Sequence, residues 1–396
     1  MIILWVNRLM WRHPGPIINM TVHNAWSLAA QGHETHLCLS AGPLSETESD
    51  LRNFYGLEPT PHLQVHRVRS SRVPGVGGGF GVYWAAARLA SRLVQRDQVA
   101  IFTRDSSFLP WLRILQLDPR IHAFYELHDF NSSLEWRSER LRTNHYREFT
   151  LERLLLPGMA GLVCITREQE RIYRQVYPLS RIVSSPLGTK PMPVEDTERK
   201  RLARTLFYVG HMHGRKGVEF LSKAALKLAH RGVRIEFWGG YEKDVSRMES
   251  FARQHGVHES VKAVPFQPPV ELHRALADRA SLGVVMLKDD YYNRYLTCPV
   301  KALDCLSHGL PTLATDLPSV REVLGDAGTY LADDDVDGFV AEAVRLLDSP
   351  GAYADAVARV RLRALDITWQ ERARVLAEFA RASWADERLQ KPAEPA

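Results

Sequence analysis

The sequence predicts an α/β protein of two domains, each a doubly wound parallel sheet, facing each other across a cleft. Three observations carry this. The chain has 396 residues, 45% hydrophobic and 24% charged, an ordinary globular composition with length for two cores. Short β-rich runs alternate with helical stretches, as in a parallel sheet covered on both faces. The alternation breaks near residue 190 and then restarts.

Residues 2–7 (IILWVN) read as a strand, followed by the loop RHPGP and helical periodicity over 17–31 that stops at Gly32. Further strands are expected at 35–40, 63–68, 99–103, 121–126 and 161–165, with helical stretches between most of them. PGVGGGFG at 74–81 fails a dinucleotide fingerprint: Phe80 stands at the third glycine position, and no acidic ribose partner ends the next strand. It reads as a mobile loop or as one that closes on an acceptor. Residues 136–153 form an arginine-rich amphipathic helix, suited to an anionic membrane surface or to a solvated face over an apolar stripe. Residues 185–204, with three prolines and many charges, read as an interdomain linker.

The second domain then runs as strand TLFYVG, helix 215–230, strand VRIEFWGG, helix 242–255, strand SVKAV, helix 269–278, strand SLGVVML, helix 299–308 and strand PTLAT. Residues 351–386 are helical, with no strand left to follow. The domains are thus expected at 1–190 and 191–368, with ligands bound between them beyond the carboxyl ends of the strands.

No apolar run is long enough to span a bilayer, and MIILWV lacks the parts of a signal peptide. Cys38, Cys164, Cys298 and Cys305 have no zinc or redox spacing, which suits reduced thiols in a cytoplasmic protein. Net charge is +5 but uneven: residues 1–190 hold 22 Lys/Arg against 16 Asp/Glu, and the remainder 29 against 30. A basic first half favours anionic lipid, polyanion or phosphate, or serves only solubility. Nucleic acid is not among the expected partners.

Two segments carry most of the chemistry. In YVGHMHGRKGVEFLSKAALKLAHRG (208–232) a strand ends at Gly210 and a helix begins near Lys216-Gly217. Free backbone N–H groups and a lysine at a helix start suit a diphosphate, and the lysine can neutralise charge on a nucleotide leaving group. In CPVKALDCLSHGLPTLATDLPSVREVL (298–324) Pro299 suits a first helical turn that leaves N–H groups outward at Cys298, Val300 and Lys301. Asp304, one turn on, can take the hydroxyls of a ribose.

These segments resemble glycosyltransferase family 4, the retaining transferases of the GT-B fold. The first signature, Gly-Arg-x4-Lys-Gly, stands here as Gly210-His211-x4-Lys216-Gly217. The second, Pro-x-Lys-x2-Glu-x4-Gly-x-Pro in one branch, stands as Pro299, Lys301, Asp304, Gly309 and Pro311. PFQPPVELHRALADRA, TDLPSVREVL and 165–191 resemble further family segments, and ITWQERAR a closing helix, about 369–386, that crosses back onto the first domain. The resemblance implies that Lys216 meets the donor diphosphate, that Cys298, Pro299, Val300 and Lys301 form a phosphate-binding helix start, and that Asp304 holds the ribose. Gly239 and Gly240 match a glycine turn near the base. The chain departs from the pattern at His211 for arginine, Asp304 for glutamate, and Leu296 where the family has another carboxylate.

In the first domain Gly15, within Arg12-His13-Pro14-Gly15-Pro16, matches a glycine loop facing the transferred sugar, and His128 in YELHDF matches a histidine beside the donor sugar. Asp129 is a candidate to orient His128. Trp11, His13 and Trp84 lie near loops where an acceptor should bind. The reading is therefore a cytoplasmic hexosyltransferase with a UDP- or GDP-sugar as co-substrate and a saccharide, lipid-linked or small-molecule acceptor. Catalysis falls to Lys216, His211 and His128, with no metal ion and no separate cofactor. The alternatives are a non-catalytic nucleotide-sugar-binding relative and an epimerase of the same fold.

Overall fold

The computed structural model describes residues 1–69, 79–137, 140–194 and 196–390, with side chains up to residue 385. Seven strands form the first sheet: β1 (Ile2–Met10), β2 (Thr35–Ser40), β3 (Leu63–Val68), β4 (Val99–Thr103), β5 (Ile121–Leu127), β6 (Gly161–Cys164) and β7 (Ile182–Ser184). Their order is β3-β2-β1-β4-β5-β6-β7, and every pairing is parallel. Strands β2, β4 and β5 are buried along their whole length, as strands covered on both faces must be.

The second sheet holds β8 (Thr205–Val209), β9 (Arg234–Gly240), β10 (Val261–Pro265), β11 (Leu282–Val285), β12 (Thr312–Thr315) and β13 (Gly328–Leu331), in the order β10-β9-β8-β11-β12-β13, again all parallel. In each sheet the strand order reverses beside its first strand. Each therefore has its crevice at the carboxyl end of that strand, β1 in one domain and β8 in the other.

Several expectations are corrected. Strands β7 and β13 have three and four residues, are partly exposed, and are too short to show a period. Strand β1 runs on to Met10. The segment 185–204 is not a bare linker: Thr189 bridges to Thr368, and Thr197–Leu202 is a helix capped by Asp196. Two of its basic residues, Lys200 and Arg201, are buried. Lys200 Nζ reaches the carbonyls of Leu276 (3.5 Å) and His308 (3.4 Å), and Arg201 pairs with Glu198 at 2.6 Å. Long apolar stems let such side chains sink while their heads find carbonyls.

The basic helix spans only Thr143–Leu155, because Trp136 and Arg137 turn inward. Trp136 donates to the carbonyl of Phe130 (2.6 Å), and Arg137 meets Asp129 at 3.2 Å. In the glycine loop, residues 74–78 lie outside the described residues. The helix after Lys216 begins only at Val218, following a tight turn at Gly214–Lys216. Gly217 holds φ +75 between them, and a Cβ there would stand 2.0 Å from the Met286 carbonyl oxygen, so no other residue fits. None of the described helices is long and apolar enough to cross a membrane.

The closing helix, Trp369–Gln390, packs on the first domain. Ala373, Leu376, Ala377, Ala380 and Trp384 join one core with Ile3, Trp5 and Ile18. Arg372 enters that contact as a buried cation. It donates to Asn24 Oδ1 (2.7 Å), to the backbone carbonyls of Ser185 and Pro186, and to the Glu126 carboxylate on β5. Both members of the ion pair are nearly inaccessible, at 1% and 3%. Removing one partner of such a pair strands the other. Arg372→Ala is therefore expected to cost about 3–5 kcal/mol of stability, read as a shifted urea midpoint; a loss below about 1 kcal/mol, the scale of an exposed pair, would contradict this role.

Candidate functional site

Both crevices open on one cavity of about 340 Å³ between the domains, within the range of small-molecule pockets. From the first domain His13, Gly15, Arg104 and His128 line it. From the second come Gly210, His211, Lys216, Gly239, Cys298, Pro299, Val300, Lys301 and Asp304. Gly240 packs beneath, where a Cβ would meet Met212 Sδ at 2.8 Å. The two tryptophans expected on the acceptor side do not line it. Trp11 is fully buried, its indole N–H held by Asp50 at 2.6 Å, and Trp84 stands on an outer helix face beneath Arg88.

The cleft is narrow where the domains meet. Gly15 holds φ +103 at the start of the helix Pro16–Ala30, and a Cβ there would lie 4.0 Å from His211 Nε2 of the other domain. Glycine keeps that gap open.

The second-domain wall concentrates positive charge. Lys216 Nζ is held by Asn293 Oδ1 (3.3 Å) and faces the Tyr292 ring at 5.5 Å. Lys301 is 8% exposed; its ammonium lies 3.8 Å from the centre of the Tyr208 ring and has no hydrogen-bond partner among the described residues. Burial lowers the pKa of both lysines, and for Lys301 the charge of Lys216 adds to it. Among the described residues neither makes a salt bridge. A buried ammonium beside a half-buried one is costly, and an anion between them would relieve that cost.

His211, packed edge-on against Phe266 at 4.9 Å, is pushed toward its neutral form by burial and then by the same two lysines. Asp304 lies a turn beyond the start of the helix Val300–Ser307; burial raises its carboxyl to about 7, with Lys301 pulling the other way. The Cys298 thiol is pushed up to about 12 by burial and stays protonated.

On the opposite wall His128 bonds through Nε2 to Glu126, and not to Asp129 as expected. Asp129 is taken by Arg137. Burial works against the Glu126 charge, but Arg372 and His128 outweigh it and hold the carboxyl at about 2. Burial, then Arg104, lowers His128 to about 4. An ionised Glu126 can only accept, so the hydrogen-bond network assigns the proton to Nε2 and leaves Nδ1 a bare acceptor.

Glu126, Arg372, Arg104, Tyr292 and Asn293 were not singled out from the sequence. Glu126 alone had a signal: two residues before His128 on a strand, it shares that histidine's face. Leu296, in the family's carboxylate position, is fully buried in the first domain's core cluster. Its neighbour Tyr295 accepts from Thr166 Oγ1 at 2.6 Å, and Tyr291 stacks on Trp136 at 5.4 Å. That segment is an interdomain contact.

Residues 203–349 match the family model for glycosyl transferases group 1. The matched stretch lies in the domain built on the second sheet, and the chain as a whole has the GT-B fold. It is similar to sucrose-phosphate synthase from Thermosynechococcus elongatus (15% identity, TM-score 0.72, covering 97% of this chain and 99% of that one). It is also similar to Anabaena HepE solved with UDP and glucose (14%, 0.66, 96% and 98%) and to WaaG, a glycosyltransferase involved in lipopolysaccharide biosynthesis (15%, 0.64, 96% and 99%). Among curated protein sequences none matches. The matched stretch contains Gly210, Lys216, Lys301 and Asp304, so it supplies the cationic wall.

Acid should loosen this architecture. Burial holds five histidines far below their ordinary 6.5: His23 at about 3, His66, His128 and His273 at about 4, and His308 at about 2. Each contributes stability that is present above pH 6.5 and is lost as pH falls toward its folded value. Glu152 and Asp304, both raised to about 7, act oppositely: their contribution is complete below the ordinary carboxyl range and is lost as pH rises through 7. Between pH 4.5 and 6.5 the five outnumber the two. The melting temperature is expected to fall steadily from pH 7 to pH 5; a flat or rising calorimetric profile would oppose this balance.

Proposed function

We propose that the chain is a retaining, metal-independent glycosyltransferase of the family 4 type that moves a hexosyl group from a UDP- or GDP-sugar to a saccharide, lipid-linked or small-molecule acceptor. One observation carries this: Lys301, buried and without a hydrogen-bond partner among the described residues, and the half-buried Lys216 converge with a helix start and Asp304 on one wall of the interdomain cavity.

The donor diphosphate sits between the two ammonium groups and the N–H groups of the first turn at Val300 and Lys301. Asp304 takes the ribose hydroxyls, and Gly239 lets the base approach the backbone. The sugar then reaches toward Gly15 and His128, whose bare Nδ1 accepts from a sugar hydroxyl. As the anomeric C–O bond stretches, charge builds on the diphosphate, where the lysines stabilise it more than in the ground state. His211 is neutral in the empty cleft and gains a proton more readily once the diphosphate arrives. HepE was solved with UDP and glucose, which supports testing uridine donors first.

Peripheral contact with an anionic membrane belongs to the same proposal. Its support is the basic first domain and the exposed Tyr146 and Leu154 beside Arg147 and Arg153.

A thermal-shift panel of UDP-, GDP-, ADP- and TDP-sugars tests the donor site. At 100 times its dissociation constant a ligand of the native state adds about 2.7 kcal/mol. Lys216→Ala is expected to lower kcat by about 10²–10³, the usual range for one lost transition-state donor, with an unchanged circular dichroism spectrum. Protection by no nucleotide sugar, or full turnover in that variant, would overturn the reading.

A further inference from the structure

A second cavity of about 340 Å³ adjoins the first and shares Ile17, Arg104, His128 and Tyr292 with it. It lies wholly on the first-domain side apart from Tyr292, and polar side chains dominate its walls. Where the two chambers meet, a group held in one reaches a group held in the other.

The charges of the second chamber are nearly all spoken for. Asp105 accepts the Arg8 backbone N–H at 2.7 Å and lies 3.8 Å from the Arg8 guanidinium. Asp129 pairs with Arg137 at 3.2 Å, and Glu148 with Arg147 at 2.6 Å. Glu152 is buried and accepts from Asn131 (2.9 Å), Ser132 (2.8 Å) and Tyr173 (2.9 Å). Arg104 is different. It follows the carboxyl end of β4, lines both chambers, and makes no ion pair or hydrogen bond with any described residue. A planar guanidinium with free donors suits a carboxylate or phosphate held by two parallel bonds.

We propose that this chamber is the acceptor site and that it takes a saccharide or polyol carrying one anionic group, a carboxylate or a phosphate, paired with Arg104. This rests on the donor reading above. The acceptor hydroxyl lies at the junction beside His128. Its oxygen forms the new bond to the anomeric carbon as the bond from that carbon to the diphosphate breaks, and its proton leaves with the diphosphate. Neutral walls such as Asn7, Ser106 and Asn131 serve the remaining hydroxyls.

The test is thermal-shift binding of methyl glucoside, glucuronate and glucose 6-phosphate, each with and without saturating UDP. UDP occupies the diphosphate site, so an anion that still protects the chain is bound elsewhere. Glucuronate or glucose 6-phosphate should bind at least about tenfold more tightly than methyl glucoside, with the stronger of the two identifying the anion. Arg104→Gln should abolish that preference, and Arg104→Lys should restore part of it. Equal binding of all three sugars, no protection by either anion, or a preference that survives Arg104→Gln would overturn the proposal. UDP protection of Arg104→Gln shows that the variant is folded. Failure of every nucleoside diphosphate to protect the wild-type chain would sink the donor reading alone, because the anion arm is also read without nucleotide.

Discussion

The ion pair between Arg372 and Glu126 is the constraint on which the rest of this architecture depends. A charge pair buried this deeply gains little net energy over a well-packed apolar pair. Its value lies in what it positions. Arg372 belongs to the last helix and Glu126 to the middle of the first sheet, so the pair locks the end of the chain onto the domain where the chain began. The same carboxylate fixes the ring of His128. The contact that seats the closing helix therefore also sets the tautomer at the cleft, and a disturbance at the hinge reaches the site through one side chain.

The opposite wall follows a different economy. Lys301 is buried like a core residue and Lys216 is half-buried, yet among the described residues neither forms an ion pair with a carboxylate. What partly supports them is aromatic: the Tyr208 face under Lys301 and the Tyr292 face near Lys216. A ring face attracts a cation without neutralising it, so the electrostatic demand for an anion persists. A carboxylate in either place would have made the domain more stable and the cavity indifferent to phosphate. Like other sites that bind through preorganised charge, this one forgoes stability where the ligand is to sit.

Much of this was legible from the residues. The bounds expected for β2, β3 and β4 agree with the structure to the residue; β2 and β4 are buried on both faces, whereas β3, at the sheet edge, is partly exposed. Helix-start chemistry points to Lys216, Lys301 and Asp304, the family resemblance gives them their expected roles, and all three line the interdomain cavity. The failures have physical causes. The prolines and charges of 185–204 suggest a linker, yet Lys200 and Arg201 bury their stems and bond to carbonyls. Arg372 and Arg104 carry no local signature, since their meaning depends on partners far away in sequence or on having none. Trp11 lay in the right loop but points into the core, which periodicity in an irregular segment cannot reveal.

The three departures from the family pattern become coherent once the lysines are seen. An arginine at position 211 would have put a permanent cation beside Lys216 and Lys301; histidine there is pushed toward its neutral form by burial and by those lysines, and an arriving anion favours its protonation. Leu296 gives up a hydroxyl-binding carboxylate, and its segment gains an apolar anchor on the first domain. Sugar hydroxyls must then be met from across the cleft, and His128 is the group presented there with a bare acceptor nitrogen. Asp304, one methylene shorter than glutamate, sits deep enough to be half protonated near neutrality, able to give as well as accept a hydrogen bond. Charge that is conditional on the ligand thus replaces charge that is permanent, and the site needs fewer compensating groups when empty.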